Sequence, residues 1–391
     1  MFSSQYSSLR SLIIFLCICL LLPISNAFSI NKHSIQLGKT IERMKICGDQ
    51  ALVRVRKNDD LSRLLTIDLN KLNILNDRVI DKRPFNCDEA SGQYYFTSLT
   101  QNNIQQIGLF VYKKPNAEKP LWQYVLDSND NPYTDVLISE KLVLLQIRYM
   151  SYNVPVGSPN LIIFDKSDGK KLWEFTYDTY KNESPKLRVF NNMLYITSTT
   201  GFIQAYSLDS FTLAWEIKNK SDKSYKTPIF DKETNTLITR WEYYDQFYRY
   251  AEVVGINPEN GQTTWIIPEY PSLYFPEINE SSKLIYMQYN TAIHALNVYH
   301  FENEEPRIQY QWKKGNSELG SPDSILVFDH HIVVTFYSNT PDKYAYVFND
   351  QGKKIDEFLF EDIKDVDLMH SNFSNHTIYA TGNGEFGTLE F

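Results

Sequence analysis

Seven histidines occur in the chain: His33, His294, His300, His330, His331, His370 and His376. Hydrolytic or metal chemistry would need some of them beside a nucleophile or at ligand spacing. No Gly-x-Ser-x-Gly elbow and no His-Glu-x-x-His motif is present. His330 and His331 are adjacent, and on a strand adjacent side chains point to opposite faces, so the pair cannot chelate one ion directly. Two oxygen-rich turns, Ser128–Asn131 and Asp165–Asp168, have the residue types of a calcium loop. Such a loop needs six or more converging oxygens and a glycine at its sharp turn. Asp165 to Gly169 offers too few, and Asx-turn hydrogen bonding accounts for the same residues. The expectation is no catalytic, cofactor-binding or metal-binding constellation.

Aromatic side chains are the other candidates for function. Tyr243, Tyr244, Phe247, Tyr248 and Tyr250 form one dense stretch, and Tyr270 to Pro276 another. Tyr joins a large contact area to a polar tip, which suits protein interfaces and carbohydrate stacking. Core packing accounts for many of the same residues. The 268–276 stretch is expected to be an exposed loop, because Pro268, Pro271 and Pro276 interrupt it.

The chain has 391 residues and a net charge of −8. An acidic chain without a Lys/Arg cluster is a poor nucleic-acid or anionic-membrane binder. Residues 1–27 have the form of a signal peptide: Arg10, an apolar run, then Ser25-Asn26-Ala27. The run is short for a membrane span, although a retained anchor is the alternative. The expected organisation is a signal peptide over 1–27 and one domain over 28–391, in a secreted or lumenal compartment and without stable membrane insertion. Of the four cysteines, Cys17 and Cys19 fall in the signal. Cys47 and Cys87 remain and are expected to pair in an oxidising compartment. Asn182, Asn219, Asn279, Asn372 and Asn375 each begin an N-x-S/T sequon in a polar stretch between predicted strands.

Strand formers dominate 28–391, punctuated by Asp/Asn/Gly turns, and the one helix candidate, around 361–368, is short. A phrase recurs: LIIFDKSDGKKLW at 161–173, IQAYSLDSFTLAW at 203–215 and VVGINPENGQTTW at 253–265. Each is a strand, an Asp/Asn-rich turn and a second strand ending in Trp. Trp122, Trp173, Trp215, Trp265 and Trp312 recur at intervals that fit four short strands plus loops, one blade of a β-propeller. Units drawn at 44–79, 85–126, 137–177, 186–217, 226–267, 273–313, 323–360 and 366–391 predict an all-β fold. It is a single propeller of eight four-stranded antiparallel blades, with seven as the alternative. The last unit lacks a fourth strand, and 34–38 could supply it, closing the ring.

The phrase resembles the repeat of the pyrroloquinoline-quinone-binding-like propellers, a family that includes quinoprotein dehydrogenases and bacterial outer-membrane assembly propellers. Asp165, Gly169 and Trp173 match best: an Asp ending the third strand, a Gly in the turn and a Trp on the fourth strand. Asn257, Gly261 and Trp265 repeat the spacing. The 203–215 unit keeps only Trp215, with Ser207 and Phe211 at the other positions, and in the 344–356 unit Gly352 survives while Asp356 replaces Trp. The resemblance implies a Trp wedged between blades. The expected function is a non-catalytic scaffold that binds a protein or glycan. A quinone- or calcium-dependent oxidoreductase and a lumenal sensor or chaperone-like subunit of a membrane complex are the alternatives. No adjacent cysteine pair of the quinoprotein kind occurs after the signal.

Overall fold

The computed structural model describes residues 31–390 apart from 38–39, 57–61, 81–84, 89, 102–103, 127–131, 150–159, 177–184, 199–201, 219–223, 226–227, 233, 245–248, 272–276, 280–283, 290–291, 303–304, 314–318, 329–330, 339–342, 350–352, 361–365, 372–375 and 382. Over most of 242–251 and 267–324 it describes the backbone alone. The expected signal segment 1–27, Ser128–Asn131, His330, Asn182, Asn219, Asn372 and Asn375 lie outside the described residues.

The described residues form eight antiparallel sheets and no helix. In order they are 41–80, 85–125, 133–175, 186–218, 224–271, 277–313, 319–360, and 366–390 with Asn31–Gln36, and they are called blades 1 to 8. Seven sheets have four strands, with neighbours in the chain paired. The remaining one, 224–271, has five instead of the expected four, because Ser224–Tyr225 and Ile229–Asp231 both pair with Thr236–Tyr244 as a divided first strand. The first strands of successive blades touch: blade 1 to 2, 2 to 3, 6 to 7 and 7 to 8. The first strand of blade 8, Val366–Ser371, also touches that of blade 1, Ile41–Cys47. The first strands therefore line the inside of a closed ring, and each blade runs outward to its fourth strand. This is a β-propeller.

Period-two alternation builds the ring, because both faces of every sheet are covered by neighbours. In Gln50–Arg56, Ala51, Val53 and Val55 pack with Ile378, Ala380 and Phe386 of blade 8. Leu52, between them in sequence, packs on Phe85, Tyr94, Phe96 and Phe110 of blade 2. The hydrophobic cores are thus the seams between blades. Leu109 and Val111 of blade 2 meet Val143, Leu145 and Phe164 of blade 3, and Phe328, Val333 and Phe360 of blade 7 meet Tyr379 of blade 8.

Asn31–Gln36 is the fourth strand of blade 8, antiparallel to Glu385–Glu390, with Ser34 opposite Gly387. It starts three residues before the segment expected from the sequence. The N-terminal strand fills the last vacancy, and Ile35 packs into the core shared by blades 8 and 1. A disulfide joins Cys47 and Cys87, with Cα atoms 5.8 Å apart, at the ends of the first strands of blades 1 and 2.

Three expectations need correction. Residues 366–368, the end of the expected helix, are strand. Asn279 does not lie between strands; it is the last residue of Glu277–Asn279. The expected loop at 268–276 is strand up to Pro271, which pairs with Tyr250. Proline is tolerated there because an outermost strand need not donate to an outer neighbour, and the pairing slips beside Pro268.

Phe386 is fully buried where blades 8 and 1 meet. Phe386→Ala should cost roughly 3–5 kcal/mol, read as a fall in the midpoint of chemical denaturation. A midpoint unchanged from the parent would show that this seam does not hold the ring closed.

Candidate functional site: the two faces of the ring

Each blade sends two of its connections to one face of the ring and the rest to the other. The first face carries the turns between strands one and two and between strands three and four. Four of its turns between strands three and four share one build. The N–H of Leu72, Gly169, Phe211 and Gly261 donates to the carbonyl of Asp68, Asp165, Ser207 and Asn257 respectively, at 2.8–3.0 Å. All four donors have positive φ, between 50 and 74°. The first residue steadies the turn with its side chain: Asp165 Oδ1 accepts the Ser167 N–H at 2.8 Å, and Asn257 Oδ1 that of Glu259 at 2.9 Å. Asp165 is therefore a turn residue whose carboxyl is held below its ordinary range by the Ser167 hydroxyl and N–H.

These turns receive the Trp residues of the preceding blade. A Cβ on Gly169 would lie 2.4 Å from the Trp122 ring, and one on Gly261 2.7 Å from Trp215. Trp173 of blade 3 stacks on Phe211 of blade 4 at 5.5 Å and meets Tyr206 at 5.8 Å. Phe211 takes the left-handed backbone of the glycines and offers a ring instead of a gap. The Trp215 indole N–H donates to the Pro258 carbonyl at 2.8 Å, whereas the Trp122 N–H has no partner among the described residues. The Tyr195 hydroxyl, 3.4 Å from the same carbonyl, is pushed up to about 12 by burial and then by the charge of Glu259. It holds its proton at neutral pH and serves packing, not acid–base chemistry.

Register shows which residues share the Trp position. Trp173, Trp215 and Trp265 each stand opposite the residue just before a bulge: Ile163, Ala205 and Gly255. In blades 1, 6 and 7 the same place holds Asn76, Tyr310 and Asp356. Trp312 is thus two residues out of phase, opposite Ile293, and is not a member of the series. The turn spacing, used instead of Trp spacing, would have revealed this at the sequence level. A second inter-blade tie lies on this face. Lys166 Nζ of blade 3 contacts Asp88 of blade 2 at 2.6 Å and donates to the Ser139 carbonyl at 3.3 Å. Burial alone would raise the Asp88 carboxyl, but hydrogen bonds from Lys166 and Ser91 and the Lys166 charge outweigh it and hold it below the ordinary range.

At the opposite face the second strand of each blade ends and the third begins. Here blades differ in height. The second strand of blade 4, Met193–Ser198, has 6 residues; that of blade 5, Thr236–Tyr244, has 9. Both start at the same level, because Thr236 and Met193 lie next to the equivalent turns. The blade 5 hairpin therefore rises about 10 Å higher on this face. Tyr243 pairs with Tyr250, and Tyr244 with Arg249, at its top. Blade 2 is tall in the same way, through Gln93–Gln101 and Ile104–Tyr112.

On the same face, charged groups gather near the starts of the first strands. Arg43 of blade 1 reaches past blade 2 to Asp135 of blade 3, at 3.8 Å, and its guanidinium lies 5.7 Å from the centre of the Phe85 ring. Arg148 covers Tyr133 at 5.0 Å. A bulge between Ile41 and Arg43 turns Glu42 toward Arg54, Arg56 and Ser62, at 3.2, 3.0 and 2.8 Å. Burial would raise the Glu42 carboxyl; these hydrogen bonds and charges reverse the effect and lower it. No group of three or more His, Cys, Asp and Glu with metal-ligand geometry occurs among the described residues. His331 lies against Phe328 at 5.4 Å as part of the blade 7 packing. The arrangement places charged groups near the starts of the first strands and a raised blade 5 hairpin on one face.

No family model and no curated protein matches the chain. Solved β-propeller structures do resemble it. Sqt1 of Saccharomyces cerevisiae aligns at a TM-score of 0.61 and 10% identity, over 93% of this chain and 99% of that one. BamB from Moraxella catarrhalis aligns at 0.54 and 14%, over 93% and 100%. The dihydro-heme d1 dehydrogenase NirN aligns at 0.56 and 9%, over 82% of this chain and 66% of its own. At these identities the likeness is one of fold.

Two outcomes check the turn-face construction. Gly261→Ala should destabilise by about 1–3 kcal/mol, from left-handed strain and the clash with Trp215, and Trp215→Phe should cost about 1 kcal/mol more than Trp122→Phe, since only the former loses a hydrogen bond. Equal costs in paired denaturation curves would show that the Pro258 contact carries no weight. The lowered Asp88 carboxyl sets a pH dependence. Its contribution is complete above the unfolded value, near the ordinary 3.8, and is lost as pH falls below it toward the folded value. Asp88→Asn should therefore flatten the acid limb of a melting-temperature profile without moving the neutral plateau's shape.

Proposed function

We propose that this chain is a secreted or lumenal glycoprotein that acts as a non-catalytic β-propeller scaffold, built from degenerate pyrroloquinoline-quinone-type repeats, and grips a protein or glycan partner. The observation that carries the reading is the asymmetry of the faces. The turn face is spent on seating one blade against the next. The opposite face carries the blade 5 hairpin, whose backbone rises above that of blade 4 and whose top includes Tyr243, Tyr244 and Tyr250 in sequence. Tyrosine as a residue type joins contact area to a polar tip, which suits a binding surface. The signal segment and the sequons at Asn182, Asn219, Asn279, Asn372 and Asn375 support passage through the secretory route. The propeller fold of BamB and Sqt1 supports the ring as a platform.

The experiment is mild-crosslinking purification of the tagged protein from its own cells and medium, with mass spectrometry and an absorbance scan. A stoichiometric partner, lost in a Tyr243→Ala/Tyr244→Ala/Tyr250→Ala variant that still melts like the parent, is the expected result. A quinone-like chromophore or tightly bound calcium without a partner would replace the scaffold with an oxidoreductase. Glycosidase treatment should increase gel mobility, and the mature N-terminus should read Phe28.

A further inference from the structure

The joint between blades 1 and 2 is built unlike the joints that follow it. At the position where blades 3, 4 and 5 carry Trp, blade 1 carries Asn76, opposite Thr66. Thr66 is 2% exposed, and it pairs with Leu52, whose side chain packs against blade 2. Neither Thr66 Oγ1 nor Asn76 Nδ2 has a hydrogen-bond partner. The place that an indole takes in blades 3, 4 and 5 here contains two buried polar atoms left unsatisfied among the described residues, and such atoms weaken packing. The 7–8 joint also lacks Trp, with Asp356 at the position, but Phe360 packs on Tyr379 there at 5.2 Å.

Two features hold the 1–2 joint instead. The 113–121 connection of blade 2 lays Ala117 against the shared core. Nearer the channel stands the Cys47–Cys87 disulfide, joining first strands that otherwise share no hydrogen-bond ladder. Tyr94 adds a hydrogen bond from its hydroxyl to Gln50 Oε1 at 3.2 Å.

We propose that the Cys47–Cys87 disulfide is a redox lock on a joint that lacks the Trp wedge, and that a dithiol reductant opens the propeller there. Cys87 is the more exposed partner. A thiolate of the reductant attacks its sulfur, the S–S bond breaks, and Cys47 leaves as a thiolate that takes up a proton. The second thiol of the reductant then displaces Cys87, which is protonated in turn. Two electrons and two protons pass to the protein, and the reductant departs as its own disulfide. Without the bond, the aromatic core of the joint — Phe85, Tyr94, Phe96, Phe110 and Tyr112 — becomes accessible, while the Trp-wedged joints stay closed.

Hydrogen–deuterium exchange of the intact protein, before and after dithiothreitol in native buffer, tests this, with alkylation confirming two new thiols. Exchange is expected to rise about tenfold in strands 50–68 and 85–112 and to stay unchanged in 186–218 and 231–256. Adding Asn76→Leu, which removes the unpartnered amide, should return much of that protection in the reduced protein. A Cys47→Ser/Cys87→Ser variant should reproduce the reduced pattern if it folds. A disulfide that resists the dithiol, a rise spread evenly around the ring, or no effect of Asn76→Leu would each overturn the proposal.

Discussion

A blade cannot bury both its faces alone, and the seat it finds on the next blade governs the rest of the molecule. On the turn face that seat is a ring on a left-handed residue. Trp122 and Trp215 lie where Gly169 and Gly261 leave no Cβ, and Trp173 lies flat on Phe211. The seat requires the backbone to turn with positive φ, the turn requires an Asx or Ser side chain to hold its N–H groups, and the bulge opposite the Trp aims the indole. Each part of the recurring phrase is explained by this contact. Alternation along the strands then fills the seam between the same two blades.

The seams are alike in plan and unequal in strength. Where the indole is present, it excludes water from the outer seam, and Trp215 also satisfies its own donor through Pro258. Where it is absent, other devices take its place: a disulfide and a longer connection between blades 1 and 2, a tilted Phe–Tyr contact between blades 7 and 8, and the N-terminal strand at the closing blade. A closed ring needs every seam, since a gap at any one exposes two sheet faces at once. That is why degenerate repeats are each repaired locally.

Function falls to what the ring does not consume. The turn face is occupied by seating. The opposite face has uneven hairpins, with that of blade 5 raised above blade 4, and there Arg43 spans to Asp135 past a whole blade. Under the proposed reading, such a ring is a platform whose specificity can change with loop sequence while the seams remain.

Much of this was legible in the residues. The repeat phrase, the strand alternation and the paired Cys47 and Cys87 determined an all-β ring of eight blades, the disulfide and the closing N-terminal strand, because short-range turn chemistry and period-two burial are written locally. The candidate site was legible only as composition. Trp spacing placed Trp312 in the series, but Tyr310 holds the position, since a bulge changes phase without changing the interval. Prolines at 268 and 271 read as loop, yet an outermost strand accepts them. Which residues stand tall on a face, which polar atoms are orphaned at Asn76 and Thr66, and that Arg43 reaches Asp135 were decided by tertiary structure. These are facts about distance between blades, and they depend on register and on the ring's closure, which no single repeat encodes.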